Sequence, residues 1–244
     1  MSILQTRQLY KHFDGVKAVD HLSLSFEKGK ITSVIGPNGS GKSTLINLLT
    51  GFIPMDGGEV IIAHSLHFTK VTCSEVAELG LTRTFQDVRL FEQMPVLDNI
   101  LVVVTSRGVW SALFEKHGAL HMAKAEEVLK RVGLWEKRNQ LAKNLSYGQR
   151  KLLEIARVLA MNPDIIFFDE PFAGLFPEML KVVVSVMQEL KLQGKTQILV
   201  EHNMELIREL SDHLIVLDSG ELLAEGKPAE VLAKREVIEA YLGE

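Results

Sequence analysis

Apolar residues follow strand-like spacing in the first part of the chain. Short apolar segments alternate there with turns that contain glycine, a pattern typical of strands. These segments are Leu4–Tyr10, His21–Phe26, Ile31–Ile35 and Glu59–Ile62. One helix is predicted among them, over Lys42 to Thr50 with Gly51 as its C-terminal cap. We therefore expect an antiparallel β subdomain at the N-terminus.

Helical spacing replaces this pattern in the middle of the chain. Apolar residues recur every three or four positions in Leu97–Val104 and in Met122–Val132. A third periodic stretch follows Ser146, which is expected to be the N-cap of a helix. The pattern therefore predicts an inserted α-helical subdomain over about residues 88–161.

Fully apolar strands return in the last part of the chain. They are Ile165–Phe168, Gln197–Val200 and Leu214–Leu217, and a closing strand, Glu221–Glu225, precedes two short helices after Pro228. A helix over Met179–Leu192 separates the first two, and such alternation favours a buried parallel sheet. The predicted fold class is α/β, as a single domain over residues 1–244. Its core covers about 1–87 and 162–244 and includes the antiparallel β subdomain.

Composition and charge narrow the function classes. With 46% hydrophobic and 24% charged residues, the chain resembles folded soluble proteins rather than disordered or fibrous ones. A net charge of −4 provides no general attraction to nucleic acids, so we expect no nucleic-acid partner. Cys73 is the only cysteine, which excludes an internal disulfide and a thiolate zinc site. No apolar run approaches the roughly 18 residues of a membrane helix, and Met1–Asp20 is too charged for a signal peptide. We therefore expect a cytoplasmic protein that could serve a membrane only from its surface.

The segment after Ile31–Ile35 fits the G-x-x-x-x-G-K-[ST] phosphate-loop pattern. It consists of Gly36, Pro37, Asn38, Gly39, Ser40, Gly41, Lys42 and Ser43, and Thr44 follows in the same helix start. Glycines let backbone N–H groups point inward, and the helix N-terminus adds its positive dipole end. We expect Lys42 to pair with the β- and γ-phosphates and the Ser43 hydroxyl to coordinate Mg²⁺. A glycine-rich turn with a chance lysine is the alternative. The preceding strand and the following helix favour a nucleotide site in a P-loop NTPase core.

Two carboxylates end the apolar strand Ile165–Phe168. Asp169 stands where a carboxylate would hold Mg²⁺, directly or through a water. Glu170 is placed to act as the general base that polarises the attacking water. An ordinary strand followed by a polar turn would look the same, so the interpretation depends on the phosphate loop.

The segment Leu145-Ser146-Tyr147-Gly148-Gln149 resembles the Leu-Ser-Gly-Gly-Gln signature of the ATP-binding-cassette ATPases. Tyr147 stands at the first glycine of that signature. A capping serine, a glycine and a helix N-terminus form an anion site. The resemblance implies that Ser146, Gly148 and Gln149 contact the γ-phosphate of ATP bound to a partner subunit, and that two subunits dimerise around two ATP molecules.

The order of motifs fits this family over nearly the whole chain, and three further functions follow from the resemblance. Phe13 is expected to stack on adenine with Val19 alongside it, although a core phenylalanine in a hairpin is the alternative. Gln86 is similar to the family glutamine that contacts Mg²⁺ and the attacking water, although a lone glutamine is usually just solvated. His202 matches the switch histidine that contacts the γ-phosphate.

One loop departs from the family pattern. Ala173-Gly174-Leu175-Phe176 stands where the family usually has a polar residue that reaches across the dimer interface. Phe176 cannot make such a polar contact, which puts the communication between the two ATP sites in question.

Several segments look like the ATPase subunits of branched-chain amino acid importers. They are Gly80–Gln86, Val88–Phe91, Val96–Ile100, Glu201–Met204 and Val237–Glu244. The resemblance implies a peripheral subunit at the cytoplasmic face of the inner membrane. Its implied partners are a second copy or a paralogous ATPase subunit, two transmembrane permease subunits and, indirectly, an extracytoplasmic substrate-binding protein. The apolar residues Val88, Leu90, Phe91 and Met94 are expected to form the docking site for a permease helix, with the core of the helical subdomain as the alternative for some of them.

Other functions stay open at this point. Urea importers share much of the pattern, so the solute could be another small polar molecule. A soluble cassette acting on ribosomes or DNA is a second possibility. Soluble cassettes of these kinds usually have a second ATPase unit or a long coiled coil, and because this sequence shows neither, this possibility is less favoured. A non-catalytic nucleotide-binding module is a third, and Glu170 and His202 argue against it.

Overall fold

The computed structural model describes residues 1–63, 66–70, 72–105 and 116–242, and these residues form two compact units. The first, here called the core unit, consists of Met1–Arg83, Asp164–Glu170 and Met187–Glu244. The second, the helical unit, consists of Thr84–Pro163 and Pro171–Val186. The sequence pattern placed Pro171–Val186 with the core. In the structure, side chains of this stretch, Leu175 and Met179, lie against Gly148 of the helical unit.

Strands and helices have the following bounds among the described residues. The strands are β1 (Ser2–Phe13), β2 (Val16–Leu22), β3 (Ser25–Glu27), β4 (Ile31–Ile35), β5 (Gly57–Ile62), β6 (Leu66–Phe68), β7 (Leu81–Arg83), β8 (Ile165–Asp169), β9 (Thr196–Val200), β10 (His213–Asp218) and β11 (Glu221–Gly226). The helices are α1 (Lys42–Leu49), α2 (Cys73–Glu78), α3 (Val96–Val104), α4 (Lys116–Arg131), α5 (Tyr147–Met161), α6 (Pro177–Leu192), α7 (Met204–Leu210), α8 (Pro228–Val231) and α9 (Arg235–Leu242).

An antiparallel sheet forms the front of the core unit. Its strand order is β2-β1-β5-β6, and β3 also pairs with β1. The prediction of one strand over His21–Phe26 was wrong. Asp14 and Gly15 both have positive φ angles, 45° and 88°, and such a turn closes a tight hairpin. The returning strand β2 therefore begins already at Val16.

The second sheet of the core unit is buried and mainly parallel, which confirms the predicted α/β class. Its order is β11-β10-β4-β9-β8-β7, and only the β10–β11 pair is antiparallel. Every residue of β4, β8 and β9 is buried, as expected for central strands with both faces covered. The edge strand of this sheet, β7, and the helix α2 were not predicted. β7 has only three residues, too few to show a period.

Parallel pairing brings the ends of three strands to one edge of this sheet. Val34 of β4 and Asp169 of β8 both pair with Val200 of β9. The segments that follow these strands begin at Gly36, Glu170 and Glu201. Chain segments that leave the carboxyl ends of parallel strands are where α/β folds build their ligand sites.

The helical unit is built around α5, against which α3 and α4 pack. α5 begins with a capping box, because the Ser146 hydroxyl accepts the N–H of Gln149 and the Gln149 side chain accepts the N–H of Ser146. The predicted N-cap is therefore confirmed. The apolar residues Leu152, Ile155, Ala156 and Leu159 of α5 are all buried. Among the helices that the structure describes, none is long and apolar enough to cross a membrane.

Candidate nucleotide site

The phosphate loop adopts a conformation that requires its glycines. Gly36 has φ +152°, and a Cβ there would lie 2.1 Å from the carbonyl oxygen of Leu217. Gly41 has φ +99°, and a Cβ would lie 2.2 Å from the carbonyl oxygen of Ala18. A side chain at either position would force neighbouring backbone to move. The backbone at Leu217 and at Ala18 therefore packs directly against the loop.

Helix α1 begins directly after this loop with an uncapped N-terminus. Gly41 is its N-cap and makes no side-chain cap hydrogen bond, and the first turn contains no acidic residue. Such a terminus presents backbone N–H groups and a positive dipole end to an anion. Ser43 is exposed in this first turn, where its hydroxyl is accessible.

Lys42 is held inside the loop. Its ammonium donates hydrogen bonds to the carbonyl oxygens of Gly36, at 2.7 Å, and of Pro37, at 2.8 Å. Burial lowers the pKa of Lys42, while the charges of Glu170 and Asp169 oppose that shift. The two carboxylates are therefore close enough to act on the lysine that the sequence assigned to the phosphates.

Asp169 makes an ion pair that the sequence did not predict. Arg83 Nη2 lies 2.9 Å from Asp169 Oδ2, and both side chains are more than nine-tenths buried. Arg83 Nη1 also donates to Asn47 Oδ1, at 2.6 Å, and to Thr50 Oγ1, at 3.3 Å. Arg83 thus links the Mg²⁺-binding candidate Asp169 to α1. The sequence gives no local indication of this contact, because Arg83 and Asp169 lie far apart along the chain.

Glu170 and His202 form a direct pair at the same edge. Glu170 Oε1 lies 2.9 Å from His202 Nε2. Glu170 has φ +48°, a left-handed conformation that is costly for a residue with a side chain. Its N–H donates to the carbonyl oxygen of Val200, which fixes this turn to β9.

The loop that contains His202 is held by a buried acid. The Glu201 side chain accepts the N–H groups of His202, at 2.9 Å, and Asn203, at 3.3 Å. Asn203 in turn caps α7 by accepting the N–H groups of Glu205 and Leu206. Glu201 is therefore a supporting residue that fixes the backbone at His202, a function that we did not predict.

The two residues expected at adenine differ in exposure. Phe13, at the end of β1, is 45% exposed and offers ring surface to a base. The expectation for Val19 was wrong. Its side chain is 0% exposed and packs in the buried hydrophobic core of the unit.

The remaining predicted site residues belong to the helical unit. Ser146 and Gln149 form the capping box of α5, and Tyr147 of the same segment packs on Gly174. Gln86 is exposed in the irregular segment that follows β7. Phe176 is 69% exposed, so its ring is not part of the unit's core.

The chemistry of these residues fits ATP and Mg²⁺. Lys42 and the α1 N-terminus match a polyphosphate, and Ser43 with Asp169 offers oxygen ligands. Mg²⁺ is usually held by one or two protein oxygens together with substrate phosphates. The described part of the chain holds no cluster of three or more His, Cys, Asp or Glu that could bind a metal alone.

Comparison with known proteins identifies the family. Residues 19–173 match the family described as ABC transporter, and residues 221–244 match the family described as branched-chain amino acid ATP-binding cassette transporter. The chain therefore belongs to the ATP-binding cassettes of ABC transporters. It is an ATPase of that family, as the signature and the acidic strand indicated.

Curated relatives match over their full length. The high-affinity branched-chain amino acid transport ATP-binding protein LivG of Escherichia coli K12 is 38% identical over 251 residues, which covers 99% of this chain and 98% of LivG. A probable LivG of Archaeoglobus fulgidus is 36% identical over 253 residues, which covers 100% of this chain and 96% of the relative.

Solved structures support the same fold. A nucleotide-free ATP-binding cassette from an ABC transporter is similar with a TM-score of 0.86 and 36% identity, covering 100% of both chains. The cassette MJ0796, solved as a dimer in a post-hydrolysis state bound to ADP and Pi, has a TM-score of 0.80 and 26% identity. That similarity covers 93% of this chain and 99% of MJ0796.

Proposed function

We propose that this chain, as one ATPase domain over residues 1–244, powers an importer of branched-chain or related amino acids. The match of residues 221–244 to the branched-chain family supports this solute class. The observation that carries the catalytic part is the 2.9 Å contact between Glu170 and His202 next to the phosphate loop. This contact supplies a carboxylate base and its hydrogen-bonding partner where a γ-phosphate would be hydrolysed.

Each candidate site residue of the core unit has a distinct function in nucleotide binding or hydrolysis. Lys42 and the α1 N-terminus bind the phosphates, and Phe13 stacks on adenine. Ser43 and Asp169 would hold Mg²⁺, together with Gln86 of the helical unit, and this ion would supply positive charge to the phosphate oxygens. Glu170 accepts the proton of the attacking water at a carboxylate oxygen. His202 orients Glu170 and contacts the γ-phosphate.

Dimerisation completes the site. Two subunits, either identical or paralogous, enclose two ATP molecules. Ser146, Gly148 and Gln149 at the start of α5 bind the γ-phosphate held by the other subunit, because a helix N-terminus carries the positive end of the helix dipole. The MJ0796 dimer bound to ADP and Pi supports such an arrangement for this fold.

Transport requires membrane partners at the cytoplasmic face of the inner membrane. We expect two transmembrane permease subunits to dock on the apolar residues around Phe91, which is 44% exposed, and Met94, which is 39% exposed. An extracytoplasmic binding protein would deliver the solute to the permeases. An importer of urea or another small polar solute is the second candidate, because no residue of the ATPase contacts the solute.

Reconstitution tests the proposal. The chain is purified together with its permease subunits, placed in liposomes and assayed for ATP-dependent uptake of labelled leucine and urea. Leucine uptake that is lost in Glu170→Gln supports the proposal. Urea uptake instead would assign the second solute class, and ATPase activity without any permease association would contradict the transport function.

A further inference from the structure

Residues 85–91, here called the Gln86 segment, have neither helical nor strand structure. A segment without its own backbone ladder needs other contacts to stay in one conformation. In this chain two side chains of α5, Glu154 and Arg157, supply such contacts.

Glu154 binds the beginning of the segment. Its carboxylate oxygen Oε1 accepts the backbone N–H of Phe85 at 3.1 Å. The backbone of Arg89 also acts on this carboxyl as a hydrogen-bond donor. Glu154 is only 4% exposed, so a residue that can carry a charge is buried here between the apolar residues Leu153 and Ile155.

Arg157 binds the end of the segment. Its guanidinium donates to the carbonyl oxygen of Arg89. The same guanidinium lies over the ring of Phe91, 5.3 Å from its centroid. Residues three apart on a helix share one face, so Glu154 and Arg157 contact the segment from the same side of α5.

A buried carboxylate is costly, which makes its presence informative. Burial raises the pKa of Glu154 to about 7, while the backbone of Phe85 and Arg89 and the charges of Lys151 and Arg157 oppose the shift. The cost of desolvating a carboxylate is offset only where hydrogen bonds and opposite charges compensate for it. The hydrogen bonds of this buried carboxyl go to the backbone of the Gln86 segment, and this contact explains its presence at a buried position.

We propose that Glu154 and Arg157 are positioning residues that fix the Gln86 segment to α5. The helix that begins at Ser146 then holds the signature residues, Gln86 and Phe91 as one rigid piece. This inference depends on the proposed function of Gln86 in hydrolysis. A change at the nucleotide end of α5 would reach the segment directly through these two side chains.

Hydrogen exchange on the full chain tests the positioning. We expect Glu154→Leu to raise amide exchange in peptides covering 84–92 by about 10-fold or more, because the hydrogen bonds from the backbone of Phe85 and Arg89 to this carboxyl are lost. Glu154→Gln keeps an acceptor at the same place and should restore most of the protection. Glu126→Leu, at an exposed position of α4 outside the site, is the control and should leave exchange in these peptides unchanged.

ATPase kinetics test whether the positioning matters for the reaction. A misplaced Gln86 should lower kcat of Glu154→Leu about 10-fold or more with little change in KM for ATP. Unchanged exchange in 84–92, or faster exchange with an unchanged kcat, would overturn the inference. If Glu154→Leu does not fold, Arg157→Met takes its place with the same two outcomes. Glu170→Gln, assayed in parallel, tests hydrolysis itself, so failure of the proposed function is distinguished from failure of this inference.

Discussion

The core unit and the helical unit hold their functional residues by different physical means. In the core unit, the phosphate loop, Glu170 and His202 follow the ends of parallel strands whose backbone hydrogen bonds fix them. In the helical unit, Gln86 lies in an irregular segment whose backbone is hydrogen-bonded by side chains, Glu154 and Arg157 of α5 and Asn99 of α3. A sheet edge is rigid by its backbone, whereas a side-chain clamp can be loosened by one substitution.

The largest expected effect concerns Glu170 in the core unit. Glu170→Gln keeps the size of the side chain but removes the proton acceptor, so turnover should fall by about 10²–10⁴. That loss corresponds to roughly 3–5 kcal/mol of barrier. Nucleotide affinity, measured by calorimetry, should stay near the wild-type value, and the blocked protein should elute as an ATP-bound dimer. The exposed Glu205→Gln on α7 is the control, and hydrolysis by Glu170→Gln at the control's rate would contradict the assignment.

A stability change of similar size is expected from Arg83. Arg83→Met leaves the buried carboxylate of Asp169 without its cation, which costs about 3–5 kcal/mol in comparable buried pairs. Urea unfolding should show the loss, and the double variant Arg83→Met/Asp169→Asn should recover part of it. If the double variant is no more stable than Arg83→Met, the broken ion pair is not the cause of the stability loss.

The next effect is a pH dependence that belongs to the helical unit. Because burial raises the pKa of Glu154 from its usual value of about 4.5 to about 7, the folded state binds this proton more tightly than the unfolded state does. The stabilisation of the folded state by this protonated carboxyl is fully present below about pH 4.5 and is lost as the pH rises to about 7. The stability of the wild type relative to Glu154→Gln should therefore fall between pH 5 and pH 7.5, on the order of a few kcal/mol at most. A difference that stays constant over this range would show that Glu154 does not titrate there.

The smallest effect is expected at the start of α5. Ser146→Ala removes the hydroxyl of the capping box and should lower the free energy of unfolding by about 1 kcal/mol. Ser146→Thr keeps a hydroxyl and serves as the matched variant. If the alanine variant is as stable as the threonine variant, the cap contributes nothing and Ser146 is needed only for the phosphate.

Prediction from the sequence succeeded where the evidence was local. The strand β4, the glycines of the phosphate loop and the capping serine of α5 each lie within a few residues of the feature that they specify. Residue-by-residue assignments failed where side-chain direction decided the outcome. Val19 was expected at adenine, and the hairpin register turns it into the core instead.

Much about this protein is therefore determined by the sequence alone: the α/β class, the nucleotide loop, the two carboxylates at the end of β8 and the family. These features depend on short-range patterns of apolar residues, glycine and charge, which a linear chain displays directly. Only the tertiary structure decided that Arg83 pairs with Asp169, that Glu201 fixes the loop at His202 and that Glu154 holds the Gln86 segment. Each of these contacts depends on the burial of a charged side chain, and burial is a property of the packed fold.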